Sequence, residues 1–452
     1  MMREPAFQQL PPPTPTPLIG RRVLVLGLGD TGLSLARWVE REGGRVRLAD
    51  SRQEPPRKSD FPGELRTGPF SEKLLDDVDV VCISPGLSVQ EKIIQEAASR
   101  GLPVLGDIEL FAWHARQPVA AVTGTNGKTT VTALTGHLLR AADIDCAVAG
   151  NIGPPVLQSF QKRLESGKLP KTWVLELSSY QLETTWSLAP AAAAMLNLTE
   201  DHLDRYASFE EYGAAKARIF IGAGTQVLNR DDPRSLAMAQ PGKKVITFGL
   251  DAPRAAKDFG VAARSLVQGT TKILAIDELA ILGSHNVANA LAACALASEM
   301  GARIDALARG LTTFKGLPHR LQLVATRRGV QWYDDSKGTN VGATVAALRG
   351  LGRKAVLILG GEGKGQDFSP LREPVRQFAS HVLLIGRDAR LIAKVVGGQN
   401  CQTLEDAVRK AGELAKPGEA VLLSPACASF DMFRDYRHRG EVFAQAVRSL
   451  SP

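Results

Sequence analysis

The chain reads as an α/β protein of three domains, and three observations predict it. Its 452 residues exceed what a single domain usually holds. Apolar strands recur along it, each running into a loop rich in glycine, serine, threonine or lysine. Two of those loops lead straight from a strand into a helix through spaced glycines, the form that a phosphate-binding turn takes in parallel α/β sheets.

Composition narrows the possibilities. An apolar share of 44% is that of a globular chain. No apolar run reaches the ~18–20 residues that a bilayer span requires, so no membrane association is expected. The net charge of +8 is spread rather than clustered, which gives a nucleic-acid partner little support and suits small polyanionic ligands. Five cysteines, at 82, 146, 294, 401 and 427, form no C-x-x-C pair. Neither a disulfide frame nor a zinc site is expected, and a reducing cytoplasm fits. Cys427 has no neighbouring histidine and reads as a small buried thiol. Met1 to Pro17 holds six prolines and no apolar h-region, so residues 1–20 read as a disordered polyproline-II tail, not a signal peptide. An SH3-like docking motif is the alternative.

The first block spans residues 21–106. Val23–Leu26 is a strand, Gly27-Leu-Gly-Asp-Thr-Gly32 turns it, and a helix follows through Trp38. A second strand, Arg45–Ala49, ends at Asp50, 23 residues after the first glycine. That spacing matches a dinucleotide fingerprint, but domains of this shape also hold other nucleotides. Asp79–Ile83 is a further strand, ending in Ser84-Pro-Gly86.

The second block, residues 107–316, holds the most informative run. Val119–Val122 reads as a buried strand, Gly124-Thr-Asn-Gly127 as a turn, and Lys128-Thr129-Thr130 as the start of a helix. Backbone N–H groups at such a turn cradle phosphate, Lys128 can reach β/γ-phosphates, and the Thr129 hydroxyl can face Mg²⁺. The run departs from G-x-x-x-x-G-K-[ST], because Val122 stands at the first glycine position. Glu176, near the end of the apolar strand Trp173–Leu177, is costly there unless paired, and reads as a metal ligand or a salt-bridged acid. After a strand over Ala191–Leu198, His202 lies in an acidic loop, as a solvated side chain or a metal ligand. On a helix over Phe209–Phe220, Lys216 shares the apolar face with Tyr212, Ile219 and Phe220. Such a lysine either snorkels to solvent or is desolvated, with a lowered pKa and chemistry to do. Asn286 and Asn289 open an alanine-rich helix, suited to a purine or to capping.

The third block, residues 317–452, repeats the pattern with strands Gln331–Asp334, Ala355–Leu359, His381–Ile385 and Ala420–Leu423. Their loops carry Lys337, Thr339, Lys364 and Ser424 on one sheet edge, where an acidic ligand would be held.

Together, Gly124-Thr-Asn-Gly-Lys-Thr-Thr130, Leu175-Glu-Leu-Ser-Ser-Tyr-Gln-Leu-Glu183, Gly316-Leu-Pro-His-Arg320, Asp335-Ser-Lys-Gly-Thr-Asn340 and Ser424-Pro-Ala-Cys-Ala-Ser429 resemble the Mur ligases of peptidoglycan synthesis. The resemblance runs from Arg21 to the C-terminus. Where sister ligases typically carry Asp-Tyr-x-His-x-Pro, this chain has Asp334-Asp-Ser-Lys337, which points to the branch that adds D-glutamate. The resemblance implies a Rossmann-like UDP-binding domain, a central P-loop ATPase domain and a C-terminal Rossmann-like domain. It implies a monomeric bacterial cytoplasmic enzyme that uses ATP and Mg²⁺, at two sites, to join D-glutamate to UDP-MurNAc-L-Ala. By position-matching, Gly124, Thr125, Asn126, Gly127, Lys128, Thr129, Thr130, Asn289, Arg320, Asp335 and Lys337 would hold ATP. Gly29, Thr31, Asp50, Ser51, Arg52, Ser84, Gly86 and Asn151 would hold the UDP substrate. Thr339, Lys364, Ser424 and Phe433 would place D-glutamate. Thr129 and Glu176 would hold one Mg²⁺, and His202 and Lys216, the latter as its CO₂-derived carbamate, a second. Lys128, Glu176, His202 and Lys216 are thus the expected catalytic set.

Overall fold

The computed structural model describes residues 10–201 and 205–450, and its strands form three sheets. The first holds β1 (Arg22–Leu26), β2 (Arg45–Asp50), β3 (Glu64–Thr67), β4 (Val80–Ile83) and β5 (Val104–Leu105), all parallel, in the order β3-β2-β1-β4-β5. Parallel strands buried on both faces need continuous apolar runs, and Val23–Leu26 and Val80–Ile83 supply them. Gly32 allows the helix Asp30–Arg41 to sit against the glycine turn, since a Cβ there would collide with the Gly27 carbonyl.

The second sheet adds β6 (Val119–Thr123), β7 (Cys146–Gly150), β8 (Thr172–Glu176), β9 (Ala192–Met195), β10 (Thr225–Asn229), β11 (Lys244–Phe248), β12 (Phe259–Ala262), β13 (Ser265–Gln268) and β14 (Thr271–Ala275). Its order is β14-β13-β12-β11-β10-β9-β6-β8-β7, parallel except for the closing β12-β13-β14 meander. The third holds β15 (Gln322–Arg327), β16 (Val330–Asp334), β17 (Ala355–Gly360), β18 (Ala379–Ile385), β19 (Gln399–Asn400) and β20 (Ala420–Leu423), in the order β15-β16-β20-β17-β18-β19, with only β15 antiparallel.

The first two sheets are not independent bodies. Trp38 of the first block stacks on Phe160 of the second at 5.4 Å, and Phe111 meets both Phe160 (5.4 Å) and Trp173 (5.2 Å) edge-on. These rings join one continuous apolar core across both units. The two sheets are therefore tied to one another through their cores. The third unit meets the second around the phosphate loop and also along the helices Ser284–Glu299 and Val341–Leu351, where Gly283 and His285 pack against Gly350.

Three local expectations need correction. The tail expected to be free over residues 1–20 is anchored over its described part. Leu10 and Leu18 are buried, Leu10 among Leu24, Leu26 and Val81, because each adds apolar area to an existing core. Residues 1–9 lie outside the described part. The strand expected over Ala191–Leu198 ends at Met195, because the chain then turns to serve the phosphate loop: the Asn197 carbonyl accepts from Thr125 N at 2.9 Å. The helix expected over Phe209–Phe220 is α-helical only to Ala217 and tightens into a 3₁₀ turn over Arg218–Phe220. Lys216 still falls on its buried face.

Candidate active site

The strand ends gather the chemistry. Gly124–Gly127 follows β6, Asn151 follows β7, Glu176 ends β8 and Asn197 follows β9. These four strands are neighbours and parallel, so their loops open on one sheet edge. Gly127 caps the helix Lys128–Ala141 with a φ of +85°, and a Cβ there would lie 2.5 Å from Asn289 Oδ1. Any larger residue would therefore strain the turn and push Asn289 away.

Two adjoining cavities sit over this edge and share Asn126, Gly127 and Arg320. The first, of about 260 Å³, is lined by Thr125, Lys128, Thr129, Asn151 and Glu176 of the second unit and by Lys337, Thr339, Lys364 and Tyr436 of the third. The second, of about 360 Å³, holds Thr130, Asn289 and Asp335 on its wall beside Phe248 and Leu250. It has the apolar and amide character that suits a purine. Gly124 lies behind the first, and its carbonyl accepts from both Lys128 Nζ and Lys216 Nζ at 2.8 Å. All the residues expected to hold ATP thus line one of the two cavities or support the loop between them.

The third unit closes this site with its own loops. Lys337 Nζ donates to Thr129 Oγ1 at 3.1 Å. The Asn340 amide donates to Asn126 Oδ1 at 3.1 Å and to Asp201 Oδ2 at 3.3 Å. Asn340, Asp201, Glu200, Gln366 and Tyr436 line the first cavity without having been singled out. Asn340 and the two acids sit inside motifs already legible. Gln366 and Tyr436 carry no signal in one sequence.

Glu176 is the most telling side chain. It is buried, and its Oε1 accepts from the Asn151 amide at 2.7 Å, while Oε2 has no partner. Asn151, expected to touch substrate, thus orients this carboxylate while also facing the cavity. A buried, unsatisfied carboxylate oxygen is costly unless a cation completes it. Among the described residues, no group of three or more His, Cys, Asp or Glu gathers for a metal. Mg²⁺ needs no such group, because it takes one or two protein oxygens and fills its shell with water and substrate phosphate. Glu176 Oε2 with the Thr129 hydroxyl fits that donor set.

Electrostatics follow from burial. The Lys216 amine is 2% exposed and sits 4.8 Å from the Tyr212 ring. Burial, with the Lys128 ammonium nearby, holds its pKa well below the ordinary lysine value. Burial likewise pushes Lys337 down to about 7. Asp335 is pushed up to about 7 by burial, against the Ser424 hydroxyl that donates to it at 2.7 Å and the nearby Arg320. Its folded pKa lies above the unfolded value of 3.8, so the folded chain holds an extra proton between roughly pH 4 and 7. The stability this group contributes is present below pH 4 and is lost as pH rises toward 7. Asp335→Asn is expected to flatten that part of the stability curve, by a few kcal/mol at most. Denaturant titrations of both proteins at pH 5 and 7 measure it.

Some expected residues fall elsewhere. Ser424 is fully buried and bonded to Asp335 and Thr344, so it braces the cavity and does not line it. Phe433 packs against the core of the third unit and meets His438 edge-on at 5.8 Å, outside the cavity wall. Ser424 lies in the loop just past β20, and Phe433 in the bend that leads to the helix Tyr436–Ser449. Thr339 and Lys364 do reach the cavity. His202 lies outside the described residues.

In the first unit, Gly29 and Thr31 stand at the start of the helix Asp30–Arg41, Ser84 and Gly86 just past β4, and Asp50 at the end of β2. Asp50 is not a free acid for a ribose. Its Oδ2 accepts from Leu28 N at 2.7 Å, and the Arg52 side chain and backbone occupy both oxygens. Burial opposes its ionisation, but this fork and the backbone donors outweigh it and hold its carboxyl below the usual range. Ser51 and Arg52 stay exposed beside it, open to a ligand. The dinucleotide fingerprint is present in spacing, but its acid is spent on the loop.

Residues 21–106 match a family model described as "Mur ligase MurD-like, N-terminal domain", residues 122–297 the "Mur ligase middle domain", and residues 319–427 the "Mur ligase, glutamate ligase domain". A UDP-N-acetylmuramoylalanine--D-glutamate ligase of Nitrosospira multiformis is 51% identical, with 96% of each chain covered. The protein of that name from Thiobacillus denitrificans is 52% identical over 96% of this chain and 97% of its own. The chain belongs to the Mur ligase family. Solved relatives share the fold at lower identity. A UDP-N-acetylmuramate-alanine ligase of Thermotoga maritima superposes with a TM-score of 0.61 at 18% identity, covering 95% of this chain and 99% of its own. MurF from Acinetobacter baumannii gives 0.61 at 18% identity, covering 96% and 92%. Among the described residues of this Mur ligase, no helix is long and apolar enough to cross a membrane.

Proposed function

We propose that this Mur ligase joins D-glutamate to UDP-N-acetylmuramoyl-L-alanine, with ATP converted to ADP and phosphate. The observation that carries the chemistry is the first cavity. A phosphate loop and an unsatisfied carboxylate from one unit face two lysines and a threonine from another. A carboxylate condenses poorly with an amine, because its oxygen is a poor leaving group. In the proposed reaction the L-alanyl carboxylate attacks the γ-phosphate in line, releasing ADP and forming an acyl phosphate. The D-glutamate amine then attacks the acyl carbon, and phosphate leaves with the carboxylate oxygen.

In this reading the Gly124–Gly127 amides and Lys128 hold the transferring phosphate, and Lys337 and Arg320 neutralise charge from the third unit. Thr129 and Glu176 would hold Mg²⁺, which would supply positive charge to offset that of the phosphates. Asn289 sits where it can bond the purine edge. The Gly29–Thr31 turn and the Ser84–Gly86 loop receive the UDP moiety, with Ser51 and Arg52 beside the base. Thr339 and Lys364 meet the D-glutamate carboxylates, while Ser424 and Phe433 support them from behind. Lys216 is carbamylated by CO₂: an ammonium cannot bind a cation, whereas a carbamate offers two hard oxygens, and the burial that lowers its pKa favours the amine that reacts. His202 is proposed as its partner at a second Mg²⁺. The proposed enzyme works as a monomer in the bacterial cytoplasm, a reading supported by the two cavities being lined by residues of one chain.

Purified protein with ATP, Mg²⁺ and UDP-MurNAc-L-Ala is expected to release phosphate on addition of D-glutamate, at least ~100-fold faster than with L-glutamate. Equal rates with the two, or release independent of the UDP substrate, would remove the proposal.

A further inference from the structure

Arg205 is used by none of the chemistry above, yet its surroundings are specific. It is a cation with only a tenth of its side chain exposed, and it touches two units at once. Its Nη1 donates to the Pro85 carbonyl at 3.0 Å, and Nη2 donates to the Leu87 carbonyl at 2.9 Å and to Glu183 Oε2 at 2.7 Å. The Glu183 carboxylate is 2% exposed, and the guanidinium plane stacks 3.8 Å from the Tyr180 ring centroid. Pro85 and Leu87 belong to the loop after β4 that carries Ser84 and Gly86, on the edge assigned to the UDP moiety. Tyr180 and Glu183 belong to the segment that follows Glu176. Arg205 itself lies three residues after His202 in sequence.

A substrate bound across these units has a fixed length. Its nucleotide end rests on the first unit and its carboxylate must reach the phosphate loop on the second. The distance between the Ser84–Gly86 loop and Glu176 therefore decides whether the carboxylate arrives in line. We propose that Arg205 is a positioning residue that sets this distance, pinning the loop after β4 to Glu183. Only a planar fork can do this: one charged head bonds two diverging carbonyls and a carboxylate while lying flat on a ring. The inference rests on the proposed function for its kinetic readout alone.

Deleting Arg205 would strand the buried Glu183 carboxylate, so the informative variant is Arg205→Lys, which keeps the charge but cannot span both carbonyls. In wild-type and variant protein, steady-state constants are measured for each of the three substrates, together with the melting temperature and amide hydrogen exchange of the ligand-free chain. The expected result is a KM for UDP-MurNAc-L-Ala raised about tenfold and a kcat lowered about tenfold. KM for ATP and D-glutamate should stay within about twofold, because those sites lie beyond the strut. Exchange should quicken in residues 84–90 and not in the third unit. Unchanged exchange in that loop overturns the proposal whatever the activity. So does a parallel loss in all three KM values with a falling melting temperature, which is the signature of a merely structural arginine. Wild-type protein that shows no D-glutamate-dependent turnover would instead count against the proposed function, leaving exchange to decide the strut.

Discussion

Lys216→Ala is expected to abolish ligation, by about a thousandfold or more, while ATP and UDP-substrate affinities change by less than about threefold. The reason lies in where the amine sits. It is buried, it is held 2.8 Å from the Gly124 carbonyl behind the phosphate loop, and its environment favours the neutral form. A neutral amine in that place would be a nucleophile toward CO₂, and the resulting carbamate would put two hard oxygens behind the phosphate loop. Alanine removes the amine while keeping a good helix former at that position, and the variant's melting temperature checks that the fold survives. Added bicarbonate should not rescue the variant. In wild-type protein, carbon-13 bicarbonate should give a carbamate resonance that the variant lacks. Full activity in Lys216→Ala would exclude the role.

Lys128→Ala is expected to stop the first half-reaction, with ADP formation falling at least about a thousandfold. Lys128 is the cation nearest the loop that can follow the γ-phosphate. Its Nζ donates to the Gly124 and Thr125 carbonyls at 2.8 Å, and its side chain lines the first cavity. Its pKa is lowered by burial, with Glu176 and Asp201 pulling the other way, so an arriving polyanion would favour its charged form. ATP affinity should weaken less than turnover, because the charge being neutralised grows toward the transition state. Undiminished ADP release would show that the loop does not hold the transferring group.

How much of this was legible depends on how far apart the determinants lie. The phosphate loop is contiguous, so strand, turn and Lys-Thr-Thr could be read together, and its geometry follows. Glu176 announced itself by being an acid in an apolar strand, although its orphaned oxygen needed coordinates. The meander over β12–β14 escaped because its strands are only four or five residues long. The core shared by Trp38, Phe111, Phe160 and Trp173 was invisible for another reason: four aromatic residues from separate helices and strands meet only in space. Asp50 shows the opposite failure. Its spacing fits a ribose-binding acid, but spacing says nothing of whether Arg52 and Leu28 have already taken its oxygens. Ser424 was expected on a loop facing the ligand, and the loop after β20 turns it inward onto Asp335 and Thr344.

The central claim is that a phosphoryl group passes from ATP to the substrate carboxylate. It is tested most directly with UDP-MurNAc-L-Ala carrying oxygen-18 in its alanyl carboxylate, followed by mass analysis of the phosphate released on addition of D-glutamate. Transfer through an acyl phosphate predicts one labelled oxygen in each phosphate. Phosphate that carries none would contradict it.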